Sequence, residues 1–184
     1  LMGDDFGGQY VETREAWQRF AIDVRERLTD EVVEAAVALA RRLGIELPAS
    51  WLEMPRTVAG VFHGIFGSFA AAEGKRRWCE KTPDHVQHIE ILSEVFPNAS
   101  FVHMIRDGRE VASSISRRQH RHPEMVIYRW KQLVREGRSA GAALGSRYLE
   151  IRYEALTTNP EEQMRRLCSF LDVEFSDQVL QSRM

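Results

Sequence analysis

The stretch that decides the fold is residues 101–114, FVHMIRDGREVASS. Residues 100–105 are mainly apolar and predict a buried strand. Residues 106–108 predict its exit loop, and Arg109–Arg118 predicts the next helix. Arg106 therefore lies at the carboxyl end of a buried strand, where α/β sheets bind ligands. We expect the helix that follows to offer free backbone amides and the positive end of its dipole to an anion.

Segments on both sides of this stretch alternate between strand and helix. Arg77–Lys81 predicts a short strand, and a helix over 83–95 follows it, with Thr82 and Pro83 at its start. Tyr148–Arg152 predicts a third strand. The alternation indicates an α/β fold with a central parallel sheet. Further helices are predicted at 13–28, 31–43, 57–73, 123–143 and 160–171.

Composition excludes several classes of protein. The chain has 184 residues, of which 43% are hydrophobic and 28% charged, with a formal net charge of −2. These values are typical of a globular protein and not of a disordered or membrane-spanning one. The two cysteines predict free thiols in a reducing compartment, and the first residues show no signal peptide, so a cytoplasmic location is predicted. The arginine-rich stretch after Arg106 has no interleaved aromatic residues, which argues against nucleic acid as a partner.

Four side chains are candidates for a site at the strand ends. Arg106 and Ser114 are eight residues apart and could share one phosphate, the guanidinium as a fork and the hydroxyl as a donor. The alternative for Arg106 is an ordinary surface salt bridge. Lys81 could act as a point charge on a transferring group, or it could be a surface lysine that caps a loop. Tyr153 could offer its ring or hydroxyl to a base, or it could belong to the core.

Four segments in order resemble the landmarks of one enzyme family. They are Trp78–Pro83, Phe96–Ala99, Ile105–Ser114 and Arg152–Leu156. Together they resemble the sulfotransferases that use 3′-phosphoadenosine 5′-phosphosulfate (PAPS), in particular bacterial enzymes related to tyrosylprotein sulfotransferases. The resemblance implies a P-loop-like three-layer sandwich with a central parallel sheet and a helix-rich N-terminal part. It divides one partial domain, 1–184, into a helical acceptor side at 1–75 and an α/β cofactor side at 76–180.

The resemblance also implies a role for each candidate residue. Arg106 and Ser114 would bind the 3′-phosphate of PAPS, and Tyr153 would approach its adenine. Lys81 would stabilise charge at the sulfuryl group during in-line transfer to an acceptor hydroxyl or amine. The acceptor would be a small molecule, a carbohydrate or a peptide, and no metal is implied. Glu12 begins a Glu-Thr-Arg segment that resembles one in the tyrosylprotein enzymes, which makes it a candidate general base, with an upstream residue as the alternative.

One departure from the family bears on activity. The family's first strand ends in a Pro-x-x-Gly-Thr-like loop for the 5′-phosphosulfate, and no such loop is found here. We therefore expect a domain incomplete at both ends, and a chain that does not itself catalyse transfer. Two other interpretations stay open: a nucleotide kinase, which needs Mg²⁺ and a Walker loop, and a non-catalytic module that binds adenosine phosphates.

Overall fold

The computed structural model describes residues 28–42, 44–47, 49, 51 and 56–181. The chain divides into two compact units, residues 1–80 and 81–184. Glu12 and nearly all of the helix predicted at 13–28 lie outside the described residues. Within the described part of the chain, no helix combines the length and the apolar character needed to cross a bilayer.

The described residues of the first unit include the helices α1 (Asp30–Arg42) and α2 (Val58–Ala72), close to the predicted bounds. The Thr57 hydroxyl caps α2 by accepting a hydrogen bond from the Gly60 N–H at 3.1 Å. Such a cap satisfies one of the amides that a helix start leaves unpaired. The apolar cluster of this unit is built on three buried side chains, Ala40, Trp51 and Ile65.

Residues 77–81 do not form the predicted strand. The Trp78 ring instead stacks on Phe66 of α2, with ring centroids 5.1 Å apart, and meets the edge of His63 at 5.5 Å. Packing of one large ring on a helix thus holds the segment, whereas a strand would need a ladder of backbone hydrogen bonds. The expectation that Lys81 ends a strand is wrong for the same reason.

The second unit contains a parallel pair of strands, β1 (Phe101–Ile105) and β2 (Tyr148–Arg152). The register pairs Phe101 with Tyr148 and Ile105 with Arg152. Both strands agree with the sequence prediction, and the α/β assignment is confirmed with two strands in place of three among the described residues. Because the pairing is parallel and in register, both strands end at the same edge.

Helices connect and flank the two strands. The predicted helix at 83–95 is divided into a 3₁₀ helix, Pro83–His88, and α3, Ile89–Val95. The helices that follow are α4 (Gly108–Gln119), α5 (Pro123–Leu144), α6 (Tyr153–Thr158), α7 (Pro160–Phe170) and α8 (Gln178–Gln181), with a 3₁₀ turn at Gly145–Arg147 before β2.

The long helix α5 approaches the strands closely because two of its residues lack a side chain. A Cβ at Gly137 would come within 2.6 Å of His103 Cε1 and 2.5 Å of Val86 Cγ2, and a Cβ at Gly141 within 2.4 Å of Tyr148 Cζ. Real Cβ atoms do not make contacts this short. Glycines one turn apart therefore set the distance between the helix and the sheet.

A polar cluster lies between α5 and the strands. His103 Nδ1 is hydrogen-bonded to the Tyr148 hydroxyl. The Arg138 guanidinium donates two hydrogen bonds, of 2.6 and 2.7 Å, to the Glu150 carboxylate. Burial lowers the pKa of His103 below its ordinary value of 6.5, Arg138 adds to this and Glu150 opposes it. Burial, followed by the charge of Glu150, raises the pKa of Tyr148 to about 12. Both groups are therefore neutral at pH 7.

The glycine contacts predict opposite effects for one type of substitution. Gly137→Ala should lower the free energy of unfolding by about 1–3 kcal/mol, because the new methyl group overpacks a filled space. Gly67→Ala in α2 should raise it by up to about 1 kcal/mol, since alanine favours the helix and nothing lies within 4 Å of the new Cβ. Urea unfolding of both variants measures the two values, and equal effects at the two positions would contradict the close-packing argument.

The pKa of His103 predicts a pH dependence of stability. The folded chain holds the His103 proton less tightly than the unfolded chain does, so stability is fully present above 6.5 and falls as the pH drops below it. The melting temperature should therefore decrease as the pH falls below 6.5, and it should decrease less in His103→Gln, whose side chain does not titrate. Burial also lowers the pKa of His88. This residue is present in both proteins, so its contribution to the pH dependence cancels when they are compared. An unchanged pH slope in the variant would exclude His103 as its source.

Candidate functional site

The two strand ends bring Arg106 and Tyr153 together. Each residue directly follows its strand, and the strands end on the paired residues Ile105 and Arg152. The Arg106 guanidinium carbon lies 5.0 Å from the centroid of the Tyr153 ring, within the range of a cation–π contact. Two of the four candidates from the sequence thus meet at one sheet edge.

The Arg106 guanidinium also faces an acidic side chain. Its Nη2 lies 3.4 Å from Oε2 of Glu110 in the first turn of α4, and the two side chains are 42% and 64% exposed. Exposed pairs of this kind contribute about 0–1 kcal/mol. Arg106 thus makes the surface salt bridge that was the alternative for it, but this pair is weak enough for a stronger anion to replace it.

Ser114 lies on the same face of α4 as this ion pair. Residues four apart on a helix are neighbours on one face, so Ser114 lies one turn beyond Glu110. Arg106 contacts Glu110, and it therefore approaches the face of α4 that carries the half-buried Ser114. A guanidinium and a hydroxyl along one helix face can bind a single phosphate through several charge-assisted hydrogen bonds.

A side chain of the loop caps the start of α4, where the sequence predicts free amides. The Asp107 carboxylate accepts a hydrogen bond of 2.8 Å from the Arg109 N–H and is bound by the Arg109 guanidinium at 2.9 and 3.1 Å. These hydrogen bonds lower the pKa of Asp107 to about 2. The carboxylate of the chain itself is the anion at this helix terminus. The Arg109 N–H is therefore already bound at this helix start.

Two residues that the sequence analysis did not single out fix the loop after β1. The Trp130 indole N–H donates to the Arg106 carbonyl at 3.1 Å, and the Asp107 N–H donates to Glu154 Oε1 at 2.7 Å. The sequence could have indicated Glu154 as part of the site, because it directly follows the candidate Tyr153. Trp130 falls within the helix predicted at 123–143, and nothing near it in sequence indicates a hydrogen bond to a residue 24 positions earlier.

Lys81 is exposed and lies just before the 3₁₀ helix Pro83–His88. This 3₁₀ helix packs on α5, where the Arg129 guanidinium donates to the Gln87 side chain. Arg129 is next to Trp130, so consecutive residues of α5 hold the lysine segment and the Arg106 loop. Among the residues that the structure describes, no group of three His, Cys, Asp or Glu side chains could hold a metal ion.

Comparison with known proteins assigns the family. A model of the sulfotransferase family matches residues 6–177. The chain belongs to the sulfotransferase family. The resemblance seen in the sequence is thereby confirmed. A solved sulfotransferase domain from the curacin biosynthetic pathway superimposes with a TM-score of 0.61 at 21% identity, over 92% of this chain and 59% of that one. This likeness confirms the α/β sulfotransferase fold.

Curated relatives match a shorter part of the chain. Protein-tyrosine sulfotransferase A of Caenorhabditis elegans is 34% identical over 112 residues, 56% of this chain and 30% of the relative. The omega-hydroxy-beta-dihydromenaquinone-9 sulfotransferase of Mycobacterium tuberculosis is 33% identical over 111 residues, 50% of this chain and 27% of the relative. The chain thus spans less than a third of the length of either relative.

The cap at the start of α4 predicts a difference between two substitutions. Asp107→Ala should lower the melting temperature by a few degrees, because the Arg109 N–H and guanidinium lose their shared acceptor. Asp107→Asn should retain most of the stability, since asparagine caps a helix about as well as aspartate. Thermal unfolding followed by circular dichroism compares them. Equal losses in both variants would mean that the ion pair with Arg109, and not the cap, stabilises this turn.

Proposed function

We propose that this chain supplies the nucleotide-binding side of an enzyme that transfers a sulfuryl group from PAPS to an acceptor hydroxyl or amine. The observation that carries the proposal is the meeting of Arg106 and Tyr153 at the shared strand edge, with Ser114 on the adjoining helix face, in a chain of the sulfotransferase family. One cation, one aromatic ring and one hydroxyl suit a nucleotide that carries an extra phosphate.

Arg106 and Ser114 bind the 3′-phosphate in this proposal. The guanidinium exchanges its weak contact with Glu110 for a contact with the phosphate. The phosphate carries more negative charge than a carboxylate, and two of its oxygens can accept the paired N–H groups of the guanidinium. Ser114 adds a hydroxyl donor from the next turn of α4. The Tyr153 ring contacts Arg106 and lies at the start of α6, which suits a position beside the adenine.

Lys81 acts on the group that is transferred. The acceptor oxygen or nitrogen forms a bond to sulfur while the bond between sulfur and the bridging oxygen of the 5′-phosphate breaks. Negative charge then develops on the departing phosphate, where an ammonium lowers its free energy. The acceptor proton passes to a general base, for which Glu12 is the candidate. These steps need no redox partner and no metal ion.

The acceptor is a small molecule, a carbohydrate or a peptide. The names of the relatives point to different acceptors, a protein tyrosine in one and an omega-hydroxy-dihydromenaquinone in another. The proposed roles of Arg106, Ser114 and Tyr153 concern the nucleotide alone, so they leave the acceptor open. Location in the cytoplasm stays a prediction of the sequence.

Isothermal titration calorimetry with adenosine 3′,5′-bisphosphate and with AMP tests the nucleotide site. The bisphosphate should bind more tightly, and Arg106→Ala should reduce that preference about tenfold or more, because a hydrogen bond to a charged group contributes about 1.5–3 kcal/mol. Ser114→Ala should reduce it less. Arg117→Ala is the matched control, since Arg117 is an exposed arginine of the same helix that bonds to the Ser113 carbonyl.

Three results would count against the proposal. A preference for the bisphosphate that survives both Arg106→Ala and Ser114→Ala would place the 3′-phosphate elsewhere. An equal loss of the preference in Arg117→Ala would mean that the effect of Arg106→Ala comes from the loss of positive charge in general, and not from a specific phosphate contact. Binding of ATP with Mg²⁺ in place of the bisphosphate would favour the nucleotide kinase that the sequence left open.

The contact between Arg106 and Glu110 predicts a gain of affinity. Glu110→Gln should tighten binding of the bisphosphate up to about fivefold, because the guanidinium no longer has to leave an anion to meet the phosphate. The effect should shrink at high salt, which screens exposed charges. Titrations of the variant at low and high salt measure it. Weaker binding would instead mean that Glu110 holds Arg106 in its binding position.

A further inference from the structure

We propose that Trp130 is a positioning residue for the phosphate site: its indole fixes the backbone from which Arg106 reaches the 3′-phosphate. This inference rests on the proposed function and adds a residue that does not touch the ligand. Trp130 lies on α5, outside the strand ends and outside α4.

The indole contacts both ends of the turn after β1. Its N–H donates to the Arg106 carbonyl at 3.1 Å, and its six-membered ring covers Gly108, where a Cβ would come within 2.7 Å of the ring atom Cε3. Gly108 is buried under this ring. The turn is therefore held by one directional hydrogen bond and by one close contact that only glycine permits.

Glu154 holds the middle of the same turn from the other side. Its carboxylate accepts the Asp107 N–H at 2.7 Å, and this hydrogen bond lowers the pKa of Glu154 below its ordinary value. The backbone at positions 106, 107 and 108 is thus bound in succession by the indole N–H, the carboxylate and the indole ring. Toward the residues that the structure describes, by contrast, the Arg106 guanidinium makes an exposed ion pair and a ring contact.

This contrast gives the indole its role. A side chain with weak contacts of its own points where its backbone directs it, so the direction of Arg106 depends on the fixed turn. A phosphate that binds a guanidinium fork is sensitive to that direction, because the paired hydrogen bonds need a set angle. Arg129, the residue before Trp130, holds Gln87 in the 3₁₀ helix that follows Lys81. The same turn of α5 therefore also anchors the lysine segment.

The test uses Trp130→Phe in the full chain, which keeps a ring over Gly108 and removes the N–H. Calorimetry with adenosine 3′,5′-bisphosphate and with AMP gives the preference for the 3′-phosphate. We expect this preference to fall about two- to tenfold, the effect of one hydrogen bond, while AMP affinity stays the same. Tyr128→Phe is the matched control, because Tyr128 is an exposed ring on the same helix, and it should change neither value.

A double-mutant cycle separates positioning from general damage. Trp130→Phe should have no further effect on the preference once Arg106 is replaced by alanine, because the indole acts through Arg106. Equal losses for both ligands, or an additive loss in the double variant, would overturn the inference. If the wild-type chain shows no preference for the bisphosphate, the proposed function fails and this inference fails with it. If the wild-type chain shows the preference and Trp130→Phe leaves it intact, only this inference fails.

Gly108→Ala reaches the same contact from the other side and covers the case in which Trp130→Phe does not fold. The added methyl group would meet the Trp130 ring, so we expect a loss of the preference for the 3′-phosphate that again vanishes in the Arg106→Ala background. A folded Gly108→Ala protein that keeps the full preference for the 3′-phosphate would overturn the proposed role of Trp130.

Discussion

A hydrogen bond from the Asp107 N–H to the Glu154 carboxylate joins the turn after β1 to the first turn of α6, the helix that follows β2 directly. The bond can form because β1 and β2 run parallel in a register that pairs Ile105 with Arg152, so both chains leave the sheet at one level. The turn after β1 is two residues long and leads into α4, whereas β2 continues directly into α6. This hydrogen bond helps to position both the contact of Arg106 with Tyr153 and the start of α4.

The site combines a fixed backbone with loosely held side chains. Peptide groups in the turn after β1 are bound by partly buried or charged partners, whereas the Arg106 guanidinium and Lys81 are exposed. Such a division suits the proposed phosphate site, where Arg106 would exchange Glu110 for an external anion. The exchange then costs little, while the position from which the cation acts is set in advance.

Local patterns predicted much of this unit, and contacts between distant residues account for the errors. The apolar run at 100–105 predicted β1 to within one residue, because that pattern is local. The segment around Trp78 has the same β-prone character, yet packing of its ring on α2 replaces the strand. Asp107 could have been recognised as a cap, since aspartate before a helix binds that helix's own amides. The bond from Trp130 to Arg106 depends on how α5 crosses the sheet, and no local pattern records that.

The two strands are covered unequally, and this affects how the chain behaves in solution. Leu149 and Ile151 of β2 are buried, whereas their neighbours Val102 and Met104 on β1 are 39% and 49% exposed. Among the described residues β1 pairs with β2 alone. Apolar side chains beside an open strand edge are the usual starting point of aggregation. The exposed apolar side chains of β1 favour self-association at high concentration, and a charged residue at Val102 would oppose it while leaving the hydrogen bond between Asp107 and Glu154 in place.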